Sequence, residues 1–417
     1  MAYQATPAWA GAITAARRSE ALRVAWRIAW TTRLAVLLVA IFAALSFGPA
    51  AGGLAAENEN KFDDPALTHA LADPLLSPLA RWDAVWYLRI ADSGYAGSDA
   101  RAAFFPLYPL LVRAVATPLG GSPGALLVAA YLVALAAFLG ALVLFYRLVL
   151  LELGRPLARP ALLLLSVFPA ALFFGAPYAE SLFLLFAVGA FYAARTDRWA
   201  WAGACAAGAA GTRSAGILLA VPLLMLWWGA GRPRSGGWLL LAPLGLGAYA
   251  LFLGLAEGDA LRFLDVQDAW SREFAFPLSG AWDGLSAAWD GLRQLVSGQK
   301  ETVYFEIAAG DPYRIAAINL MLFATLLFAL AACVGVWRRL PAAYGAWVSV
   351  SLVLPLTFPV RPQPLMSLPR FVCVLFPLFM WLALWCEERR ATERVAAVSA
   401  VGLGLFCAQY ASWHWIS

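Results

Sequence analysis

Charge is what this sequence has least of. Of its 417 residues, 13% are Asp, Glu, Lys or Arg and 62% are hydrophobic, with a mean hydropathy of +0.72. A soluble domain carries about 25% charged residues. Here the deficit falls in long uncharged blocks. That excludes an ordinary soluble enzyme, a disordered chain and a nucleic-acid-binding domain, and it points to a polytopic membrane protein. Lysine is nearly missing: Lys61 and Lys300 are the whole set, and neither follows a glycine. A Walker A loop is therefore absent, and ATP-driven transport by this chain alone is not expected. His69 and His414 are the only histidines, so an HExxH zinc site is impossible, and no GxGxxG occurs. Cys205, Cys333, Cys373, Cys386 and Cys407 are scattered without a CxxC pair. They read as small membrane-embedded hydrophobes, not as a zinc site or a disulfide framework. Catalysis, if present, must rest on carboxylates, arginines and aromatics.

What positive charge there is lies in arginine. The formal net charge is +5, and it reads as basic clusters at cytoplasmic helix ends. A spanning helix needs about 20 mostly apolar residues. The first candidate runs from Leu34 to Gly53, behind Arg17, Arg18, Arg23, Arg27 and Arg33. It reads as a retained first helix with the N-terminus in the cytoplasm, its basic flank forming an amphipathic helix on the inner leaflet. Further uncharged blocks lie at 125–146, 160–177, 181–194, 199–212, 215–231, 235–256, 315–337, 340–360, 371–386 and 395–417, giving about eleven spans in one integral domain, 1–417. Alternating them places Arg147/Arg155/Arg159, Arg195/Arg198, Arg232/Arg234, Arg338/Arg339 and Arg389/Arg390/Arg394 on the inside. That is the positive-inside pattern. Blocks 181–194 and 199–212 are short, so they must be extended by flanking residues, or tilt and pack within the bundle. Two outer loops are long, 54–124 and 257–312. Long loops on one face usually carry function. Within the first, Phe104 to Pro118 is apolar but too short to span, so it is expected in the interface or as a re-entrant segment.

The densest polar and aromatic signal is the first-loop run from Arg81 to Tyr95. As a helix it puts Asp83, Tyr87 and Ile90 on one face and Trp82, Trp86 and Arg89 on the next. Aromatic faces stack on a sugar while a carboxylate takes a hydroxyl proton. The competing reading is a surface amphipathic helix with Asp83 paired to Arg81 or Arg89. The residues alone leave both open. Gln267 and Trp270, three apart in the second loop, suit one face of a groove, whereas Arg272 and Glu273 read as a solvated face. Asp92 reads as a second acid or as a cap with Ser93.

The order of several motifs resembles the PIG-V family of mannosyltransferases. The resemblance rests on Arg81-Trp82-Asp83, Tyr87-Leu88-Arg89-Ile90-Ala91 and Gly94-Tyr95, then Phe104-Phe105-Pro106-Leu107-Tyr108-Pro109-Leu110. It continues in Phe168-Pro169, Pro177-Tyr178-Ala179-Glu180-Ser181 and Thr212-Arg213-Ser214, and ends in Leu368-Pro369-Arg370-Phe371 and Phe376-Pro377-Leu378-Phe379. One departure is Asp92-Ser93, where the family often has Glu-His. The resemblance implies an all-α GT-C glycosyltransferase architecture. It further implies a mannosyl residue taken from a polyprenyl-phosphate carrier on the outer face of a membrane, with Asp83 as the catalytic carboxylate. Arg370 and Arg213 are then the candidates for the donor phosphate, with Glu180 a supporting partner of Arg213. Arg81, Trp82, Trp86, Tyr87, Arg89, Asp92, Tyr178, Glu180, Gln267 and Trp270 are the candidate substrate-binding residues. No cofactor is required, and metal dependence stays open. The expected partners are the lipid-linked donor, membrane lipid and an unidentified acceptor, in what reads as a bacterial plasma membrane. The alternative is a lipid or sugar transporter. It predicts two-fold repeats with binding residues near the midplane, and no such repeat stands out.

Overall fold

The computed structural model describes residues 8–47, 75–96, 99–276, 278–298, 312–360, 363–414 and Ile416. Among them there is no strand, and a single isolated bridge joins Arg272 to Val360. Each of the eleven uncharged blocks carries helix. Five helices are long and apolar enough to cross a membrane: Ser19–Ser46, Pro123–Glu152, Arg234–Ala256, Pro312–Arg339 and Thr392–Ala411. The rest are shorter and interrupted, for reasons written in the sequence. Pro169 separates Arg155–Ser166 from the 3-10 turn Pro169–Phe174, and Pro377 opens Phe376–Glu388 just after Leu368–Cys373. Proline has no N–H for the helical ladder and crowds the preceding turn. The longest inner helix, Pro123–Glu152, starts where it should: Ser122 accepts from Ala125 N at 3.2 Å and proline takes the first position.

The two short blocks do pack inside the bundle. Glu180–Arg195 is buried along most of its length. Trp199–Thr212 is a run of glycine and alanine, and the small side chains let backbones touch. A Cβ on Gly245 would stand 2.0 Å from the Ala207 carbonyl oxygen, so only glycine fits there.

The helix Glu180–Arg195 sets the axis of the molecule. Its 16 residues span about 24 Å, somewhat less than the roughly 30 Å hydrocarbon thickness of a bilayer. At its C-terminal end Arg195 pairs with Glu152 at 2.5 Å, and Tyr344 donates to the same carboxylate at 2.9 Å. Arg155–Glu20 at 2.7 Å and Arg339–Glu388 at 2.8 Å belong to this basic end. At its N-terminal end stands Glu180, with a second set of charges described below.

One expectation changes. Arg33 does not flank the first span. One helix runs Ala8–Ser46, and Arg33 is buried inside it, 7% exposed. It persists there because its guanidinium donates to the Ser166 carbonyl at 2.7 Å and to the Ala171 carbonyl. These acceptors lie beside the break at Pro169, where the helical ladder leaves carbonyls free. The apolar segment Phe104 to Pro118, too short to span, holds the helix Leu107–Ala116, packed on Pro123–Glu152 through Tyr108, whose hydroxyl donates to the Ala130 carbonyl at 3.0 Å. Loop residues 54–74 and 299–311 lie outside the described residues.

Candidate active site

Asp83 is the first residue of the helix Asp83–Ser93, where the helix dipole favours a carboxylate. The turn before it is held rigidly. Arg81 is 1% exposed, with its guanidinium 4.1 Å from the Trp413 ring, and Trp82 meets Trp413 edge-on at 6.0 Å. The Arg81 carbonyl accepts from Tyr178 Oη at 3.1 Å and Tyr410 Oη at 2.7 Å, and the two hydroxyls are 3.0 Å apart. Behind Asp83, Tyr87 packs edge-on against Phe104 at 5.1 Å and Tyr108 at 5.2 Å. Ala84, Val85, Tyr87, Leu88, Ile90 and Ala91 are all buried. The run is therefore an inserted helix, and the surface-helix alternative falls.

The ion pair of Asp83 runs to Arg370. Arg370 Nε lies 3.5 Å from Glu180 Oε1, and Arg213 pairs with the same Glu180 oxygen. The four side chains form a chain, Asp83–Arg370–Glu180–Arg213, with exposures of 15%, 13%, 1% and 17%. Segments from four distant parts of the sequence supply them. The expected Glu180–Arg213 pair is present.

Phe371 sits at the centre of the arginines. Its ring is 5.7 Å from Arg370, 5.2 Å from Arg213 and 5.5 Å from Arg272. Arg272 is the residue the sequence reading missed. It was expected on a solvated face with Glu273, and it is instead half-buried against the cluster. The bridge to Val360 and a 2.9 Å bond from Ala275 N to the Thr357 carbonyl draw the second loop onto the 357–360 segment. Arg272 itself donates to the Phe358 carbonyl at 3.4 Å. Desolvation, then the Arg370 guanidinium, push Arg272 down to about 10, with Asp83 opposing. No local sequence signal marks it, because its neighbours come from distant segments, among them Phe358 and Phe371 downstream and Arg213 upstream.

Three residues that introduce the cluster have left-handed φ: Trp82 before Asp83 (55°), Ser271 before Arg272 (53°) and Ser367 before Leu368–Cys373 (67°). Each costs of order 1 kcal/mol for an L-residue, so surrounding contacts must hold them.

The other candidates distribute unevenly. Tyr178 joins the site, 5.7 Å below Arg370. Trp86 stacks on Phe104 at 5.8 Å, with Arg89 5.8 Å from the Trp86 ring. Asp92 is exposed and lies 4.0 Å from Arg113, outside the chain of ion pairs. Gln267 donates to the Phe263 carbonyl at 3.1 Å. Trp270 closes the 3-10 turn Val266–Trp270, and its side chain lies outside the described residues. Among the described residues, no three His, Cys, Asp or Glu side chains gather closely enough for a metal.

Residues 24–226, about half of the chain, match the family described as mannosyltransferase (PIG-V). No curated protein matches the chain. Among solved structures it is similar to the oligosaccharyltransferase of Archaeoglobus fulgidus, crystallised with Zn and sulfate, at 11% sequence identity and a TM-score of 0.45. That likeness covers 93% of this chain and 53% of the other, so the chain spans about half of that protein's length.

Proposed function

We propose, from the match of residues 24–226 to the mannosyltransferase (PIG-V) family, that this membrane chain is a GT-C glycosyltransferase of that kind. It moves a mannosyl residue from polyprenyl-phosphate mannose to an acceptor hydroxyl. The observation that carries this reading is the Asp83–Arg370–Glu180–Arg213 chain of charges, at the end of the bundle opposite the basic end. If the basic end is cytoplasmic, as the positive-inside rule has it, the reaction takes place on the extracytoplasmic face.

The reaction is displacement at the anomeric carbon. The acceptor oxygen forms the new glycosidic bond, the bond from the anomeric carbon to the phosphate oxygen breaks, and polyprenyl phosphate leaves. A hydroxyl is a weak nucleophile, so Asp83 removes its proton as attack proceeds. Developing positive charge on the sugar resembles that in glycoside hydrolysis. The phosphate needs positive charge and no general acid, and the guanidinium forks of Arg370 and Arg213 supply it. Donor phosphate reaching Arg370 competes with Asp83 for the same guanidinium. A carboxylate freed from that pair is a stronger base. Glu180 keeps both arginines oriented, and Tyr178 supports the turn that presents Asp83. Arg81, Trp82, Trp86, Tyr87 and Arg89 build the wall behind the carboxylate. The second-loop residues Gln267 and Trp270 contribute to the acceptor side.

The test is transfer of radiolabelled mannose from polyprenyl-phosphate mannose by the purified protein, beside Asp83→Asn. Loss of about 10²- to 10⁴-fold is expected for removing a general base. Full activity in the variant would remove Asp83 from this role. Failure of the wild-type protein to bind that donor would sink the transferase reading.

A further inference from the structure

Three guanidinium groups surround Phe371, and the chain of ion pairs contains two carboxylates. Arg370 is shared between Asp83 and Glu180, and Arg213 pairs with the same oxygen of Glu180. Arg272 differs from both. Its hydrogen-bond partner is a backbone carbonyl, that of Phe358, and no carboxylate among the described residues pairs with it. The cluster thus keeps one unit of positive charge in partly desolvated surroundings. Such a charge is costly unless an anion meets it. The backbone bridge at Val360 and the left-handed Ser271 fix where Arg272 enters, so its position is built and not incidental.

We propose that Arg272 is the principal phosphate-binding arginine of this site, and that its ligand is the singly charged phosphodiester of a lipid-linked sugar. The assignment rests on the transferase reading above and refines it. Arg370 and Arg213 reach a phosphate only in competition with Asp83 and Glu180, whereas Arg272 supplies a charge that no carboxylate among the described residues balances. A phosphodiester carries one negative charge and brings the cluster to neutrality. A guanidinium meets two phosphate oxygens at once, which an ammonium cannot do. The product, a phosphomonoester, carries further negative charge near neutral pH. It should therefore bind at least as tightly and inhibit by competition.

The test is equilibrium binding to the full-length protein in detergent, using three probes: polyprenyl monophosphate, the neutral polyprenol with the same tail, and inorganic phosphate as competitor. The wild type should prefer the phosphorylated lipid over the polyprenol by roughly tenfold or more, as expected for charge-assisted hydrogen bonds. Arg272→Gln should lose most of that preference while melting at the same temperature or higher, because an unbalanced charge is removed. Arg272→Lys, which keeps the charge and loses the fork, should bind several-fold more weakly than wild type. It decides the matter if Arg272→Gln does not fold. Unchanged preference in the folded variants would overturn the role of Arg272 and leave the transferase reading standing. A wild type indifferent to the phosphate would remove both. Inorganic phosphate competing as well as the lipid would overturn the lipid-borne ligand.

Discussion

Asp83 and Arg370 lie 287 residues apart in the chain and form an ion pair at the entrance of two helices. Neither is more than 15% exposed. Removing one partner of such a pair leaves a charge with poor solvation. Arg370→Gln strands Asp83, while Glu180 keeps Arg213. Its expected cost is about 3–5 kcal/mol. The double variant Asp83→Asn/Arg370→Gln should lose less than the sum of the single losses, because it removes the charge that the single change strands. Thermal or denaturant unfolding in one detergent checks this, and additive losses would mean that the pair is not coupled.

Glu180 is 1% exposed and receives both Arg213 and Arg370. Glu180→Gln should be among the most destabilising isosteric changes in the protein, again about 3–5 kcal/mol. Asp92→Asn is the control. Its partner Arg113 is 4.0 Å away and both side chains are 49% exposed, so the expected effect is within about 0.5 kcal/mol. Unfolding midpoints that rank the two the other way would contradict the burial argument.

Gly245 and Gly247 share the helix Leu244–Ala256 and should respond oppositely to alanine. A Cβ on Gly245 would meet the Ala207 oxygen at 2.0 Å and the Gly211 nitrogen at 2.4 Å, whereas nothing lies within 4 Å of one on Gly247. Gly245→Ala should cost about 1–3 kcal/mol or more through overpacking against backbone. Gly247→Ala should be neutral or gain up to about 1 kcal/mol in helix propensity. The yield of monodisperse protein and the melting temperature read both.

His414 lies beyond the helix Thr392–Ala411, next to the tryptophan that packs on Arg81. Burial, then the Arg314 guanidinium, hold its imidazole below the ordinary 6.5, with the Ser412 carbonyl opposing. The folded state therefore prefers the neutral ring. The associated stability is fully present above pH 6.5. It declines as the pH falls from there toward the folded pKa, because the unfolded chain takes up the proton first. Melting curves between pH 7.5 and about pH 5 should show a steeper decline for wild type than for His414→Gln. Parallel curves would place the titration elsewhere.

Much of this was legible in the sequence because hydropathy is a local property. Every uncharged block carries helix among the described residues, and the run from Arg81 to Tyr95 did contain a carboxylate at a helix start. The partners were harder to read. Asp83 and its helix neighbours suggested pairing with Arg81 or Arg89, but burial of the helix turned the question into which distant cation reaches it. That is decided by how four segments converge, and no spacing encodes it. Arg272 was missed for the same reason. Beside Glu273 in an outer loop it looks solvated, and only the bridge to Val360 brings it to Phe371. Arg33 was misplaced because a charge at the edge of an apolar block ordinarily marks the membrane boundary. Here the free carbonyls of a proline-broken helix accept it inside.

That arrangement of Arg33 has a consequence for how the protein is made. The carbonyls that receive its guanidinium belong to Ser166 and Ala171, 133 and 138 residues later in the chain. At a synthesis rate of about 5–20 residues per second, they emerge on the order of ten seconds after the first helix. An arginine in the middle of a newly inserted helix costs about 2.5–3.5 kcal/mol on the insertion scale. The acceptors that satisfy Arg33 therefore do not exist until the broken helix has been made, so the buried state of the first helix depends on a later part of the chain.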